Sequence, residues 1–302
     1  MRAELPSRAA RVRAIVARTA RGVYDDQMTH HAAALTYYAL MSLFPALLLA
    51  VSILGLVGQY PATYDAIFGY LSDVAPSSVL VPLDSSLRNA LQAKGTATTT
   101  LAFGVVVTLY GTTGALEAAR RALNVVFEAE GGRSFLRRKA IDVASTVLLM
   151  SLGLVSLILV FVGGRFAEDL LGFVGLGPTV ARIWDVARWP AAVAIVMFVF
   201  SFIYYVTPDV EQRSFRWVTP GAVVGVLLWL LGSAGFSAYV SRAGNLGAVY
   251  GAFTGAILLI SWLWLSNLAL LVGAELNAEI ERQQQLDEGT PPAETLDLPA
   301  RG

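Results

Sequence analysis

The sequence predicts an all-α fold: a polytopic membrane bundle of six transmembrane helices, with both termini in the cytoplasm and short amphipathic helices in the outer loops. Three observations predict it. Of 302 residues, 56% are apolar and only 15% charged, against about 25% charged in a soluble domain. Six windows longer than about 18 residues carry no charge, and a helix needs roughly that length to cross the hydrocarbon. Lys and Arg collect in the connections on one side of those windows.

The windows are 27–64, 95–116, 143–164, 189–208, 217–241 and 243–274. Each holds a strongly apolar core, such as Phe44 to Val57 or Ala256 to Leu265. The runs are continuous, whereas barrel strands alternate and span about 10 residues. The next window, 170–181, is too short to cross. Sixteen basic residues fall in the N-terminal segment, the second-to-third and fourth-to-fifth connections and the C-terminal tail, against six on the other side. The positive-inside rule then places both termini in the cytoplasm, and an even number of spans agrees.

Three regions follow. Residues 1–31 are a basic cytoplasmic segment, and Arg2, Arg8, Arg11, Arg13, Arg18 and Arg21 interrupt any signal-peptide pattern. Residues 32–280 form the six-helix transmembrane domain. Residues 281–302 are a polar tail, expected to be disordered from about Gln283, with Pro291, Pro292 and Pro299. In the outer connections, 61–94 (with Tyr64, Ile67, Phe68, Tyr70 and Leu71) and 166–187 (with Phe166, Leu170, Leu171, Phe173 and Trp184) read as short amphipathic helices at the outer surface.

Composition excludes several chemistries. Without Cys there is no disulfide, thiolate metal site or Cys nucleophile. Only His30 and His31 are present, which excludes a His-rich metal cage. The formal net charge is zero, so no whole-protein field points to nucleic acid. GxxxxGK[ST], HExxH and GxSxG motifs are missing, and no catalytic residue, metal site or cofactor is expected.

A polar side chain inside the hydrocarbon must face protein or a cavity. At 100 degrees per residue, His31, Tyr38, Ser42 and Pro45 lie within about 60 degrees of one another on the first span. Pro45 removes a backbone donor and frees the Met41 carbonyl, which suits an inward or cavity-facing kink; a plain packing kink with satisfied hydroxyls reads as well. On the second span Tyr110, Thr113, Glu117 and Asn124 form one stripe. Glu117 either faces a central cavity or pairs with Arg120 or Arg121 at the membrane edge. On the sixth span Ser261, Trp264 and Glu275 share a face, with Asn267 about 80 degrees away and expected to hydrogen-bond to another helix. These residues, with Tyr37, are the candidate substrate-binding set. Arg137, Arg138 and Lys139 are candidates for lipid head-group contact.

Small residues at four-residue spacing, Gly247–Gly251–Gly255 and Gly221–Gly225, let helices approach closely. They leave a homo-oligomer open. Pro208 and Pro220 suit a tight turn or a first helical turn.

The run His30-His31-Ala32-Ala33-Ala34-Leu35-Thr36-Tyr37-Tyr38-Ala39-Leu40, followed by Ser42-Leu43-Phe44-Pro45, resembles the first helix of the YihY/BrkB family, once labelled ribonuclease BN. Ordered matches continue with Gly114-Ala115-Leu116-Glu117, Asn124, Arg133-Ser134-Phe135, Pro220-Gly221-Ala222, Tyr239-Val240-Ser241-Arg242 through Tyr250-Gly251, and Gly273-Ala274-Glu275-Leu276-Asn277-Ala278-Glu279. The resemblance implies a bacterial inner-membrane protein with six helices. Proposals for that family lean toward transport of lipids or ions, and its second name reflects a link with virulence and serum resistance. Two adjacent His and scattered carboxylates do not supply nuclease chemistry.

The leading expectation is a transporter-like protein that handles an amphipathic or lipid substrate, with membrane lipids as its surroundings and no nucleic acid as partner. The alternatives are cation/proton exchange through Glu117 or Glu275, and a non-transport scaffold for envelope assembly. An enzyme comes last.

Overall fold

The structure is a computed structural model. It describes residues 7–57, 64, 65, 68, 84, 88, 113–129, 132–161, 178–212, 216–242, 253–288, 296 and 298–301. Seven helices appear among the described residues: α1 (Arg8–Asp25), α2 (Met28–Val57), α3 (113–126), α4 (Phe135–Phe161), α5 (Pro178–Val206), α6 (Pro220–Arg242) and α7 (Thr254–Asp287). The chain divides into two compact units, one of Met1–Thr36 with Leu116–Gly302 and one of Tyr37–Ala115.

Local chemistry sets the helix ends of the larger unit. Ser7 caps α1, its hydroxyl accepting from Ala10 N at 3.3 Å. Gln27, with φ of 51°, breaks α1 from α2, and its carbonyl accepts from His30 N at 2.9 Å. Pro178 and Pro220 open α5 and α6, where a missing N–H costs nothing. Thr219 caps α6 through Oγ1, which accepts from Ala222 N at 3.1 Å.

Within α4, α5, α6 and α7 lie the stretches Phe135–Ser156, Arg182–Val206, Pro220–Arg242 and Thr254–Asp287, long and apolar enough to cross a membrane. Their outer faces carry exposed apolar side chains, including Val186 at 73% and Leu231 at 70%. Such a surface is costly in water and ordinary against lipid. The first expected span falls on α2, a helix of 30 residues. Most of the second, 95–116, lies outside the described residues.

The inner packing is set by small residues. A Cβ on Gly221 would fall on the Gly273 carbonyl oxygen, and one on Gly225 would sit 3.1 Å from the Ala269 carbonyl oxygen. The Gly221–Gly225 spacing therefore brings α6 and α7 backbones together as expected. Tyr204 of α5 is buried beside them and donates to the Leu270 carbonyl at 2.6 Å. Trp229 and Trp262 add donor bonds to Ser266 and Ser233, both at 3.1 Å.

One expectation changes. Residues 178–187 are not a separate outer helix; they are the first turns of α5, continuous through Pro190. The physical reason is local: Arg188 pairs with Asp185 one turn earlier at 3.6 Å. Of the expected tail, residues 281–288, 296 and 298–301 are described. Helix α7 runs to Asp287, Leu296 is buried, and Val210 bridges to Ala300. Glu211 N donates to Pro299 O at 2.8 Å and Arg301 N to Asp209 O at 2.9 Å. Backbone pairing offers the Pro-containing tail a partner that composition does not reveal.

The smaller unit is described at fewer positions. Tyr37 and Tyr38 meet edge to face at 5.3 Å. Gly114 leaves room for the Tyr38 ring, whose Cδ1 would lie 3.0 Å from a Cβ there. Further along this unit Tyr64 stacks on Phe68 at 5.3 Å. Arg88 pairs with Asp84 at 2.8 Å, and its guanidinium lies 4.4 Å from the Tyr64 ring.

Candidate functional site

Two ionic networks in the larger unit join segments that lie far apart in sequence. The first centres on Arg120 of α3. Its guanidinium donates to Asp142 near the start of α4 and to Glu117 one turn earlier at 2.7 Å. Its Nε lies 3.9 Å from Asp209, just beyond α5. Arg133 approaches the same Asp209 oxygen at 3.6 Å and donates to the carbonyls of Val206 and Pro208 at 2.9 and 3.2 Å. Asn124 and Asp209 bond reciprocally: Asn124 Nδ2 donates at 3.1 Å, and Asp209 N donates back at 2.9 Å. The side chains of Arg120, Asp142 and Asp209 are no more than 3% exposed. Charges so deprived of water are tolerable only when paired and hydrogen-bonded.

The second network joins α1, α7 and the end of α3. Arg18 pairs with Glu279 and donates to Gln283 at 3.0 Å. Arg282 pairs with Glu128 and with Glu279 at 3.3 Å. Arg11 reaches Asp287 at 2.9 Å, and Leu296 N donates to Glu128. Between these residues opens a cleft of about 300 Å³, lined also by Gly22, Asp25, Asp26 and Glu275. Glu275 is only 4% exposed, and its Oε2 has no hydrogen-bond partner among the described residues. Its carboxylate lies where a side chain at Gly22 would be. Burial, then the charges of Glu128 and Asp25, hold the Asp26 carboxyl above its ordinary range.

The structure distributes the expected site residues. Glu117 and Asn124 enter the first network, and Glu117 also lies 3.7 Å from Arg121 and 3.9 Å from Arg138. Glu275 lines the cleft. Asn267 hydrogen-bonds to another helix, donating to Thr36 at 3.1 Å. Trp264 donates to the Thr29 carbonyl at 3.2 Å. Ser42 and Ser261 bond to their own helices, at Ala39 O and Ile257 O. His31 is half-buried near the start of α2, and Tyr37 and Tyr38 are exposed. Pro45 falls inside α2 and Thr113 opens the described part of α3, while Tyr110 lies outside the described residues. Arg137 is exposed, and Lys139 approaches the Phe135 ring at 6.0 Å.

Asp142, Asp209, Arg18, Glu128 and Arg282 escape a search confined to the spans. Their signal is positional: Asp142 directly precedes the window 143–164 and Asp209 directly follows 189–208. Charges that bracket spans on one expected side are candidates to pair with each other.

Residues 19–297 match the family model described as Virulence factor BrkB. The chain belongs to the Virulence factor BrkB family. That match includes all the motifs on which the resemblance rests, from His30 to Glu279. The ribonuclease-like protein YfkH of Bacillus subtilis strain 168 is 31% identical over 262 residues, covering 86% of this chain and 92% of that protein. The UPF0761 membrane protein PSHAa0171 of Pseudoalteromonas translucida is 27% identical over 285 residues, 90% of each chain. A UPF0761 membrane protein of Halorhodospira halophila is 26% identical over 260 residues, 84% of this chain but 54% of that protein. No solved structure matches. Relatives named as membrane proteins and four long apolar helices agree that this BrkB-family chain is a membrane protein.

Proposed function

We propose that this BrkB-family protein is a transporter-like inner-membrane protein of six spans, with both termini cytoplasmic, that handles an amphipathic or lipid substrate. The observation that carries the reading is the cleft between α1 and α7. It presents guanidinium and carboxylate groups together, at the end of a helix whose preceding turns are apolar. An amphipathic molecule needs that juxtaposition: a charged site for its head beside an apolar surface for its tail. A reconstituted-liposome assay tests the reading. Vesicles containing the protein are expected to scramble a fluorescent phospholipid faster than empty ones, and Glu275→Gln is expected to slow them. Equal rates with and without protein would sink it.

The topology draws support from the two networks. They tie together α1, the α3–α4 connection, the α5–α6 connection and the end of α7. Those are the four segments that the basic-residue asymmetry assigns to one side. Since the chain has no Cys, single cysteines report sidedness without background. Ser134→Cys is expected to stay unlabelled by a membrane-impermeant maleimide in spheroplasts, and Thr179→Cys to be labelled. The reverse pattern would overturn the orientation.

A second reading, cation/proton exchange, is favoured by one observation: the buried Glu275 oxygen has no hydrogen-bond partner among the described residues. Glu117, bonded to Arg120, fits that role poorly. PH-driven cation flux in protein-containing vesicles, lost in Glu275→Gln, would distinguish exchange from lipid handling.

A further inference from the structure

Glu275 is the odd member of its cleft. Five carboxylates line the space against three guanidiniums. Arg18 and Arg282 are engaged with Glu279 and Glu128. That leaves Glu275, Asp25 and Asp26 as acidic groups for which no ion pair lies within 4 Å among the described residues. A carboxyl group with a buried, unpartnered oxygen either stays protonated or needs a cation supplied to it. Gly22 supplies the space: any side chain there would displace the Glu275 carboxylate. Among the described residues no group of three or more His, Asp or Glu is placed to hold a metal ion, which points away from a compact coordination site. Arg21 lines the same cleft from an exposed position on α1.

We propose that this cleft binds a primary ammonium group, taken up by the Glu275 carboxylate with Asp26 and Asp25 beside it, while Arg21 meets an attached phosphate. The proposal rests on the amphipathic-substrate reading and names its head group: an amine carried on a phosphate ester. A phospholipid head group and a free phosphorylated or simple amine share that chemistry.

Calorimetric titration of the full chain in detergent micelles separates the sources. The probes are a short-chain phosphatidylethanolamine, the matching phosphatidylglycerol, and ethanolamine. The phosphatidylethanolamine is expected to bind saturably and the phosphatidylglycerol roughly tenfold more weakly or worse, as for a lost charge-assisted hydrogen bond. Glu275→Gln is expected to erase the difference, and Asp26→Asn to reduce it. Ethanolamine binding as tightly as the lipid would support the ammonium site while counting against a lipid source. Equal binding of the two lipids by the wild-type protein would overturn the site, and so would a folded Glu275→Gln that binds like wild type. Should Glu275→Gln fail to fold, the wild-type lipid comparison and Asp26→Asn still decide. Scrambling without head-group preference would leave the lipid reading standing and remove the ammonium site, and amine binding without scrambling would do the opposite.

Discussion

Arg120→Met is expected to cost about 3–5 kcal/mol, the usual effect of removing one partner from a buried ion pair. Arg120 is the positive centre between Asp142, Asp209 and Glu117. Without it Asp142 and Asp209 remain buried, and among the described residues Arg133 is the one guanidinium left within 4 Å of Asp209. With a stability of 5–15 kcal/mol typical of a domain, such a loss removes much of the margin. The measurement is thermal unfolding in detergent, followed by tryptophan fluorescence and by monodispersity on size exclusion. Arg120→Lys is not expected to restore stability, because one ammonium cannot replace a planar fork that serves Glu117 and Asp142 at once. The double variant Arg120→Met with Asp142→Asn is expected to be more stable than Arg120→Met alone, since the orphaned charge is gone. A melting temperature unchanged by Arg120→Met would show that water reaches the network and that burial is not what makes it matter.

Gly221→Val is expected to destabilise by at least the roughly 1–3 kcal/mol of ordinary overpacking. The reason is that the obstacle is backbone. A Cβ at 221 meets the Gly273 carbonyl oxygen and comes within 2.6 Å of Asn277. Asn277 also accepts from Gly221 N at 2.8 Å and donates to Thr219 at 2.9 Å. Separating α6 from α7 would therefore break hydrogen bonds as well as packing. Gly153 and Gly235 provide controls, because a Cβ at either meets nothing within 4 Å. Alanine there should be neutral, or stabilising by up to about 1 kcal/mol through lower backbone entropy in the unfolded chain. Equal melting temperatures for Gly221→Val and Gly235→Ala would mean that the α6–α7 contact contributes little.

Much of the fold is legible one-dimensionally. A helix in lipid must satisfy its own backbone and expose apolar side chains, so a long charge-free run marks it without reference to any neighbour. That is why 143–164, 189–208 and 217–241 fall on α4, α5 and α6, and why the part of 243–274 from Thr254 onward falls on α7. The small residues were readable for the same reason: Gly221 and Gly225 carry their close approach in their size. Gly255 shows the limit, since its spacing looks alike yet a Cβ there meets nothing within 4 Å.

The site was less legible because a helical stripe gives a direction but not a partner. Asn267 was expected to bond across helices, but only the fold names Thr36. Ser42 and Ser261 shared the same kind of face and bond to their own helices instead. Glu117 admitted two readings, and the approach of α4 and the α5 end draws it into pairs with Arg120 and Arg138.

By itself, the sequence determined an all-helical membrane protein of the BrkB family, because length, apolarity and ordered motifs are properties of the chain alone. Tertiary structure decided how its charges are used. Arg120, Asp142 and Asp209 are separated by 22 to 89 positions, and Arg18 and Glu279 by 261. Pairing across such distances is set by which helix ends meet, and local sequence carries no information about that. The same meeting leaves Glu275 beside Gly22, buried, with an oxygen that has no hydrogen-bond partner among the described residues.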